Sequence, residues 1–212
     1  LGQTNKCALI IADGKEDDPL PGRFDYKGYR STFLHYVLDS VWTVVDEILI
    51  VFAKEPKLSL VETIAPFGVK IAVDRNGSSI LSRMVAGFRA CNSESCFVIA
   101  TSSPFVKPNV VFQLFEEARG FDAAVPRWPE GRIEPFLAVY KKKPFLKAVA
   151  SMNTEDIASL IEDLYAVTFI DIEEKLKPLD PELHSFFKVS GAKDLERAES
   201  IILQTIDRPQ AL

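Results

Sequence analysis

The run Cys7-Ala8-Leu9-Ile10-Ile11-Ala12, closed at once by Asp13-Gly14-Lys15, decides how this chain is read. A short, continuous apolar run bounded by a turn signal fits a strand covered on both faces better than one stripe of a surface helix. Similar runs recur at 47–53, 69–73, 97–100, 123–125, 136–140 and 167–172. Between them, 32–45 carries Phe33, Leu34, Val37, Leu38, Val41 and Val45 at helical spacing, an arrangement that would expose His35 and Asp39. The stretch 78–90 lines up Leu81, Met84, Val85 and Phe88, with Ser78 or Ser79 as cap. Pro108 opens a helix that runs to Arg119 and stops at Gly120. Later helices are expected at 144–152, 154–164 and 192–205, the last with Ser190 as its cap. Alternating strand and helix predict an α/β fold.

The chain has 212 residues, 47% of them hydrophobic and 26% charged, and no repeat or Ser/Gly linker divides it, so one domain over 1–212 is expected. Thirty acidic against 25 basic residues give a net charge of −5, which argues against nucleic acid or an anionic membrane surface as partner and leaves room for a local basic cleft. The longest apolar runs fall far short of the roughly 18 residues of a membrane span. Three cysteines cannot all pair, and free Cys in apolar runs behaves as a small hydrophobe, so a reducing cytoplasm is expected. Cys91 and Cys96 are not spaced as a CxxC pair, and His35 and His184 lie far off in sequence, so no zinc site is expected. The segment 1–6 resembles no signal or transit peptide. The aromatics, Trp42, Phe186 and Phe187 among them, read as core.

In an open α/β sheet, ligands bind beyond the carboxyl ends of the parallel strands. Those positions are polar here: Ala12-Asp13-Gly14-Lys15, Lys54-Glu55, Asp74-Arg75-Asn76-Gly77-Ser78, Thr101-Ser102-Ser103 and Pro126-Arg127-Trp128. The loop after the first run brings backbone N–H groups together with Lys15, Arg23, Lys27 and Arg30, which can cradle phosphate or stand as solvated surface. Gly14 alone satisfies neither GxGxxG nor GxxxxGK[ST]. Asp74 can accept hydrogen bonds from a base or sugar, hold a metal through water, or turn the chain. Ser102 and Ser103 read first as caps for the next segment, and His35 and His184 stand in no Ser or Cys nucleophile pattern, so neither is assigned a role.

Several stretches, in order, resemble the MobA-like nucleotidyltransferases over nearly the whole chain. Ile11-Ala12-Asp13-Gly14 is similar to the family's strand-LAGG, and Gly28-Tyr29-Arg30-Ser31-Thr32-Phe33-Leu34 to its Gly-Lys-Pro-Leu helix start. The segment from Asp74 to Gly77 with Ile80 to Phe88 looks like the family's Asp, turn and helix, and Ser102-Ser103-Pro104-Phe105 like its Asp-x-Pro-Phe metal motif. Asp122-Ala123-Ala124-Val125-Pro126, Glu134-Pro135-Phe136-Leu137-Ala138-Val139-Tyr140 and the stretch from Phe186 to Glu199 resemble the later landmarks.

The resemblance implies a three-layer, Rossmann-like nucleotidyltransferase fold with a mostly parallel sheet and helices on both faces. It further implies transfer of GMP from GTP to a phosphorylated cofactor such as molybdopterin, with Mg²⁺. It places Ala12, Asp13 and Gly14 at the nucleotide loop, Arg23 and Lys27 at phosphates, Lys54 beside the nucleoside and Asp74 at guanosine or metal. Three departures stand out. Asp13 replaces a glycine, the family's phosphate lysine has only Arg23 or Lys27 as counterpart, and neutral Ser102 occupies the position of the metal-binding aspartate. Asp13 or Asp74 is then the candidate metal ligand. The alternative is a catalytically inactive descendant that binds a nucleotide or a protein partner in the inherited crevice.

Overall fold

A computed structural model describes residues 5–14, 25–26, 29–30, 32–75, 79–151 and 156–207. In chain order the elements are β1 (Lys6–Ile11), β2 (Asp25–Tyr26), β3 (Tyr29–Arg30), α1 (Phe33–Trp42), β4 (Glu47–Phe52), α2 (Leu58–Ile64), β5 (Lys70–Val73), α3 (Ile80–Ala90), β6 (Ser95–Ala100) and α4 (Pro108–Glu117). They are followed by β7 (Ala123–Arg127), β8 (Leu137–Lys141), α5 (Lys142–Ser151), α6 (Ile157–Glu162), β9 (Val167–Asp171) and α7 (Ala192–Asp207).

Seven strands form one sheet in the order β5-β4-β1-β6-β8-β7-β9, while β2 and β3 pair as a small antiparallel ribbon. All seven apolar runs read from the sequence are strands of this sheet. Four of its six pairings are parallel, and β8 alone runs against both neighbours. The register sets Ile11 level with Val51 on one side and Ala100 on the other, and Phe52 level with Val73. The carboxyl ends of β1, β4, β5 and β6 therefore share one edge, and β7, twice reversed from β6, ends there too.

Period-two alternation splits β1 between two cores. Ala8 and Ile10 pack with Leu34, Val37, Leu38 and Val41 of α1, Leu60 and Ile64 of α2, and Val110 and Leu114 of α4. Cys7, Leu9 and Ile11 face the other way, against Leu81, Met84 and Phe88 of α3, Phe145 of α5 and Leu160 of α6. The sheet is thus a middle layer between two helical ones. A third cluster, with Phe33, Phe105, Val189, Ala198, Ile201 and Ile202, seats α7 over the segment after β6. The tightest layer contact is at Gly87, where a Cβ would stand 2.2 Å from Leu9 Cδ1 and 2.9 Å from Val51 Cγ2. No helix among the described residues is long and apolar enough to cross a membrane.

The structure corrects several local expectations. His35 is buried, not exposed, because its Nδ1 lies 2.8 Å from Thr32 Oγ1 and 3.3 Å from the Thr32 N–H, taking the role that Glu or Gln plays in a capping box. Asp39 is exposed as expected. Trp42 is 47% exposed and packs edge-on against Phe67 at the surface, so it is not core. The α4 N-cap is Lys107, with its N–H bonded to Ser185 Oγ at 3.0 Å, and Ser103 Oγ is buried with no hydrogen-bond partner; neither Ser102 nor Ser103 caps that helix. Ser79 does cap α3, accepting the Ser82 N–H at 3.1 Å. At the start of α7 the Asp194 carboxylate accepts the N–H groups of Ser190 and Gly191, the tie that had been expected of Ser190. Helix α2 and the π-helical turn Ile172–Leu176 were not legible, and strand β9 stops at Asp171, whose carboxylate accepts the Glu174 N–H.

Candidate functional site

Main-chain bonds lock the carboxyl edge before any side chain is considered. Ala12 N–H donates to Val51 O at 2.9 Å, Thr101 N–H to Ile11 O at 3.0 Å and Asp74 N–H to Phe52 O at 2.8 Å. Ala12, Asp74 and Thr101 are therefore fixed across four adjacent strands. Gly14, just past β1, has φ +98°, a left-handed conformation that favours glycine.

Asp13 and Thr101 are joined twice. The Asp13 N–H donates to Thr101 Oγ1 at 3.3 Å, and the Thr101 hydroxyl donates to Asp13 Oδ1 at 2.5 Å. Thr101 is fully buried and Asp13 partly exposed, so the carboxylate is oriented from below by a fixed hydroxyl. Asp74, 9% exposed, sits with Oδ2 2.6 Å from Ser82 Oγ in the first turn of α3. Strand β4 lies between β1 and β5, which separates the ends of the strands that carry Asp13 and Asp74 by two strand spacings, roughly 10 Å across the sheet. Their bonded oxygens turn to different neighbours, Thr101 and Ser82. Lys54 is exposed just past β4. Lys15, Arg23 and Lys27 lie outside the described residues, as does the side chain of Arg30.

Farther along the edge is a group that the candidate list did not contain. Glu134, 4% exposed, accepts the Trp128 Nε1–H at 2.8 Å, pairs with Lys188 Nζ at 3.2 Å and also with Arg132. Arg132 stacks over the Trp128 ring at 4.7 Å, and Trp128 meets Phe186 edge-on at 5.5 Å. The Lys188-Val189 segment is tied to the β6 end, because Val189 N–H donates to Ser102 O at 2.9 Å. An acid set between Ile133 and Pro135 at a strand start was the available signal; Trp128 and Arg132 lie within six residues of it, and only Lys188 comes from a distant part of the chain.

Magnesium takes oxygen ligands and commonly keeps one or two carboxylates together with substrate phosphates and water. Among the described residues no group of three or more His, Cys, Asp or Glu converges as a metal cage. Asp13 fits the smaller requirement: it is a carboxylate at the carboxyl edge of the sheet, with one oxygen engaged by Thr101, one strand from Ser102.

A mostly parallel three-layer sheet with its polar residues gathered at the carboxyl edge defines the class, a Rossmann-like nucleotide-handling α/β protein. Within that class the family is shown. The model of the MobA-like NTP transferase domain matches residues 3–167, and the chain belongs to this family. It is 33% identical over 210 residues to a probable molybdenum cofactor guanylyltransferase of Methanosarcina acetivorans, covering 91% of this chain and 89% of the relative. The corresponding protein of Methanosarcina mazei is 32% identical over 174 residues, 79% of this chain and 77% of that one. Among solved structures, molybdopterin-guanine dinucleotide biosynthesis protein A from Archaeoglobus fulgidus superposes with a TM-score of 0.68 at 25% identity, covering 94% of this chain and 99% of that chain. The 2-C-methyl-D-erythritol 4-phosphate cytidylyltransferase of Thermus thermophilus, at 21% identity and a TM-score of 0.65 over 92% and 98% of the two chains, shares the fold.

Proposed function

We propose that the protein is a guanylyltransferase that moves GMP from GTP onto the phosphate of molybdopterin. The observation that carries this reading is the likeness to the Methanosarcina acetivorans relative over nine-tenths of the chain. In the reaction a phosphate oxygen of the acceptor attacks the α-phosphorus of GTP, a new P–O–P bond forms, and the bond to the departing pyrophosphate breaks. The backbone of Ala12, Asp13 and Gly14 holds the nucleotide at the strand edge, Lys54 flanks the nucleoside, and Arg23 and Lys27 meet phosphates. Asp74 accepts N–H bonds from the guanine edge, its position fixed by Ser82. Asp13, oriented by Thr101, is the carboxylate that holds Mg²⁺. When bound, Mg²⁺ neutralises charge on the phosphates as the α-phosphorus is attacked. Trp128, Arg132 and Lys188 line the acceptor side, offering an aromatic face and two cations to a phosphorylated heterocycle. Three reduced thiols fit a cytoplasmic location.

One observation favours a second reading, a nucleotide-binding relative without turnover: position 102 carries a neutral hydroxyl where the resemblance implies a metal-binding carboxylate. The two separate in one assay. Incubation with molybdopterin, each NTP and Mg²⁺ or Mn²⁺ should release pyrophosphate with GTP. Absence of release, together with a GTP-induced rise in melting temperature, would select the second reading.

A further inference from the structure

At the opposite edge of the sheet the chain's three cysteines, which sequence spacing leaves unrelated, come together. Cys7 in β1 is level with Cys96 in β6, and Cys91, the residue that ends α3, places its Sγ 3.4 Å from Cys96 Sγ. All three are free thiols, buried among Phe88, Val98 and Tyr140. They belong to no part of the nucleotide edge, which lies at the other ends of β1 and β6.

The turn between Cys91 and Cys96 is held from outside by one side chain. The Glu47 carboxylate accepts the Asn92 N–H at 3.0 Å, the Ser93 N–H at 3.0 Å and the Ser93 hydroxyl at 2.7 Å, and pairs with Lys70 at 2.7 Å. Lys142 Nζ donates to the Cys91 carbonyl. Asn92 and Glu94 are exposed, so the thiols lie one turn of chain below solvent. Hydrogen bonds from Cys7 and Cys96, with attraction from Lys142, lower the Cys91 thiol below its ordinary value. Contact with Cys7 and Cys91, together with burial, raises Cys96.

We infer that Cys91 and Cys96 are an oxidant-responsive dithiol, convertible by a hydroperoxide to an intrachain disulfide when the turn clamped by Glu47 opens, with Cys7 left as a thiol. The Cys91 thiolate attacks the O–O bond and becomes a sulfenic acid while the hydroperoxide leaves as an alcohol, or as water when the oxidant is hydrogen peroxide. Cys96 sulfur then attacks the Cys91 sulfur, expelling hydroxide, which takes the Cys96 proton and departs as water. In total two thiols and one hydroperoxide give one disulfide, one alcohol and one water. Cys91 is the partner of Cys96 because their sulfurs already stand 3.4 Å apart, and Cys7, level with Cys96, is placed less well to bond it. A disulfide needs Cβ atoms about 3.5–4.5 Å apart, whereas level neighbours on adjacent strands hold theirs near the strand spacing of about 4.7–4.9 Å. Cys91 stands on a turn that can close the gap.

Mass spectrometry tests this on the full-length folded protein. After hydrogen peroxide treatment, unfolding and alkylation without reduction, the tryptic peptide spanning 90–119 should be about 2 Da lighter than its dithiol form and unalkylated. The peptide spanning 7–15 should carry one alkyl group, and dithiothreitol should restore both alkylation sites on the first. A cross-link to Cys7, three alkylatable thiols after treatment, or irreversible sulfinic acid as the main product would each overturn the inference. Glu47→Gln, and the milder Ser93→Ala, should speed disulfide formation several-fold by loosening the turn. An unchanged rate in both would overturn the clamp.

Discussion

Thr101 presents its hydroxyl to Asp13 Oδ1 at 2.5 Å across the β1–β6 step, directly beside Ser102. A fully buried threonine thereby orients a partly exposed carboxylate at the carboxyl edge of the sheet. The negative charge expected of position 102 by resemblance stands here on the adjacent strand.

If that carboxylate holds the metal, Asp13→Asn should weaken Mn²⁺ binding in the presence of GTP by about tenfold or more, a difference of ~1.4 kcal/mol or above. Loss of the free-Mn²⁺ paramagnetic signal on titration measures this without turnover. The double variant Asp13→Gly with Ser102→Asp should recover most of the affinity, since it moves the charge one strand over. Equal Mn²⁺ affinity in Asp13→Asn and the unaltered protein would remove Asp13 from the metal.

Gly87 tests the layer packing. A methyl group there meets Leu9 Cδ1 at 2.2 Å and Val51 Cγ2 at 2.9 Å, and both of those side chains are fully buried. The gain in helix propensity, about 1 kcal/mol, is outweighed by overpacking of about 1–3 kcal/mol. Gly87→Ala should lower the urea midpoint, corresponding to a net loss of up to about 2 kcal/mol, and Gly87→Val should lower it further. A Gly87→Ala protein as stable as the parent would mean that α3 can lift off the sheet at little cost.

The sheet was legible because its strands are covered on both faces and read as unbroken apolar runs, β1, β4 and β6 above all. Helix α2 was hidden because seven residues with two buried positions, Leu60 and Ile64, give no periodic pattern to read. His35 was misplaced because helical spacing assigns a polar residue outward, whereas a local bond to Thr32 lets it face in. The strand-end rule reached Ala12, Asp13 and Asp74, all now on one edge. It did not reach Glu134, which lies past the strand end that holds Trp128 and meets Lys188, 54 residues away, only through tertiary structure.

Burial lowers the pKa of His35 from its ordinary value of 6.5, with the charge of Asp39 acting the other way. The unfolded chain therefore binds a proton at His35 more readily than the folded one. Stability from this group is complete above the unfolded value and falls as pH drops below about 6.5. His184, lowered chiefly by burial, contributes in the same direction. His35→Gln keeps a side chain able to complete the capping box and removes the titration. Its unfolding free energy, measured from pH 5 to 8, should rise less steeply with pH below 6.5 than the parent's, the remaining slope belonging to His184 and, toward pH 5, to carboxylates lowered in the fold such as Glu47 and Glu117. Identical slopes would show that His35 does not lose its buried place on protonation.

Glu134 meets three donors at a point tied through Val189 to the end of β6, and the cations it holds, Arg132 and Lys188, are 57% and 41% exposed. If these cations meet the acceptor's phosphate, as proposed, the carboxylate is the buried anchor that orients them. Glu134→Gln preserves the shape and removes the charge that orients them. With GTP saturating, the KM for molybdopterin should rise about tenfold, equivalent to ~1.4 kcal/mol of lost binding, while the dissociation constant for GTP stays unchanged. Lys188→Met should act on the same parameter, and combining the two changes should add little, because residues in one ion-pair network do not contribute independently. A parallel loss of GTP affinity would move this group to the nucleotide side. A fall in kcat at constant KM would instead show that Glu134 shapes the transfer step, with the acceptor's phosphate held by other groups.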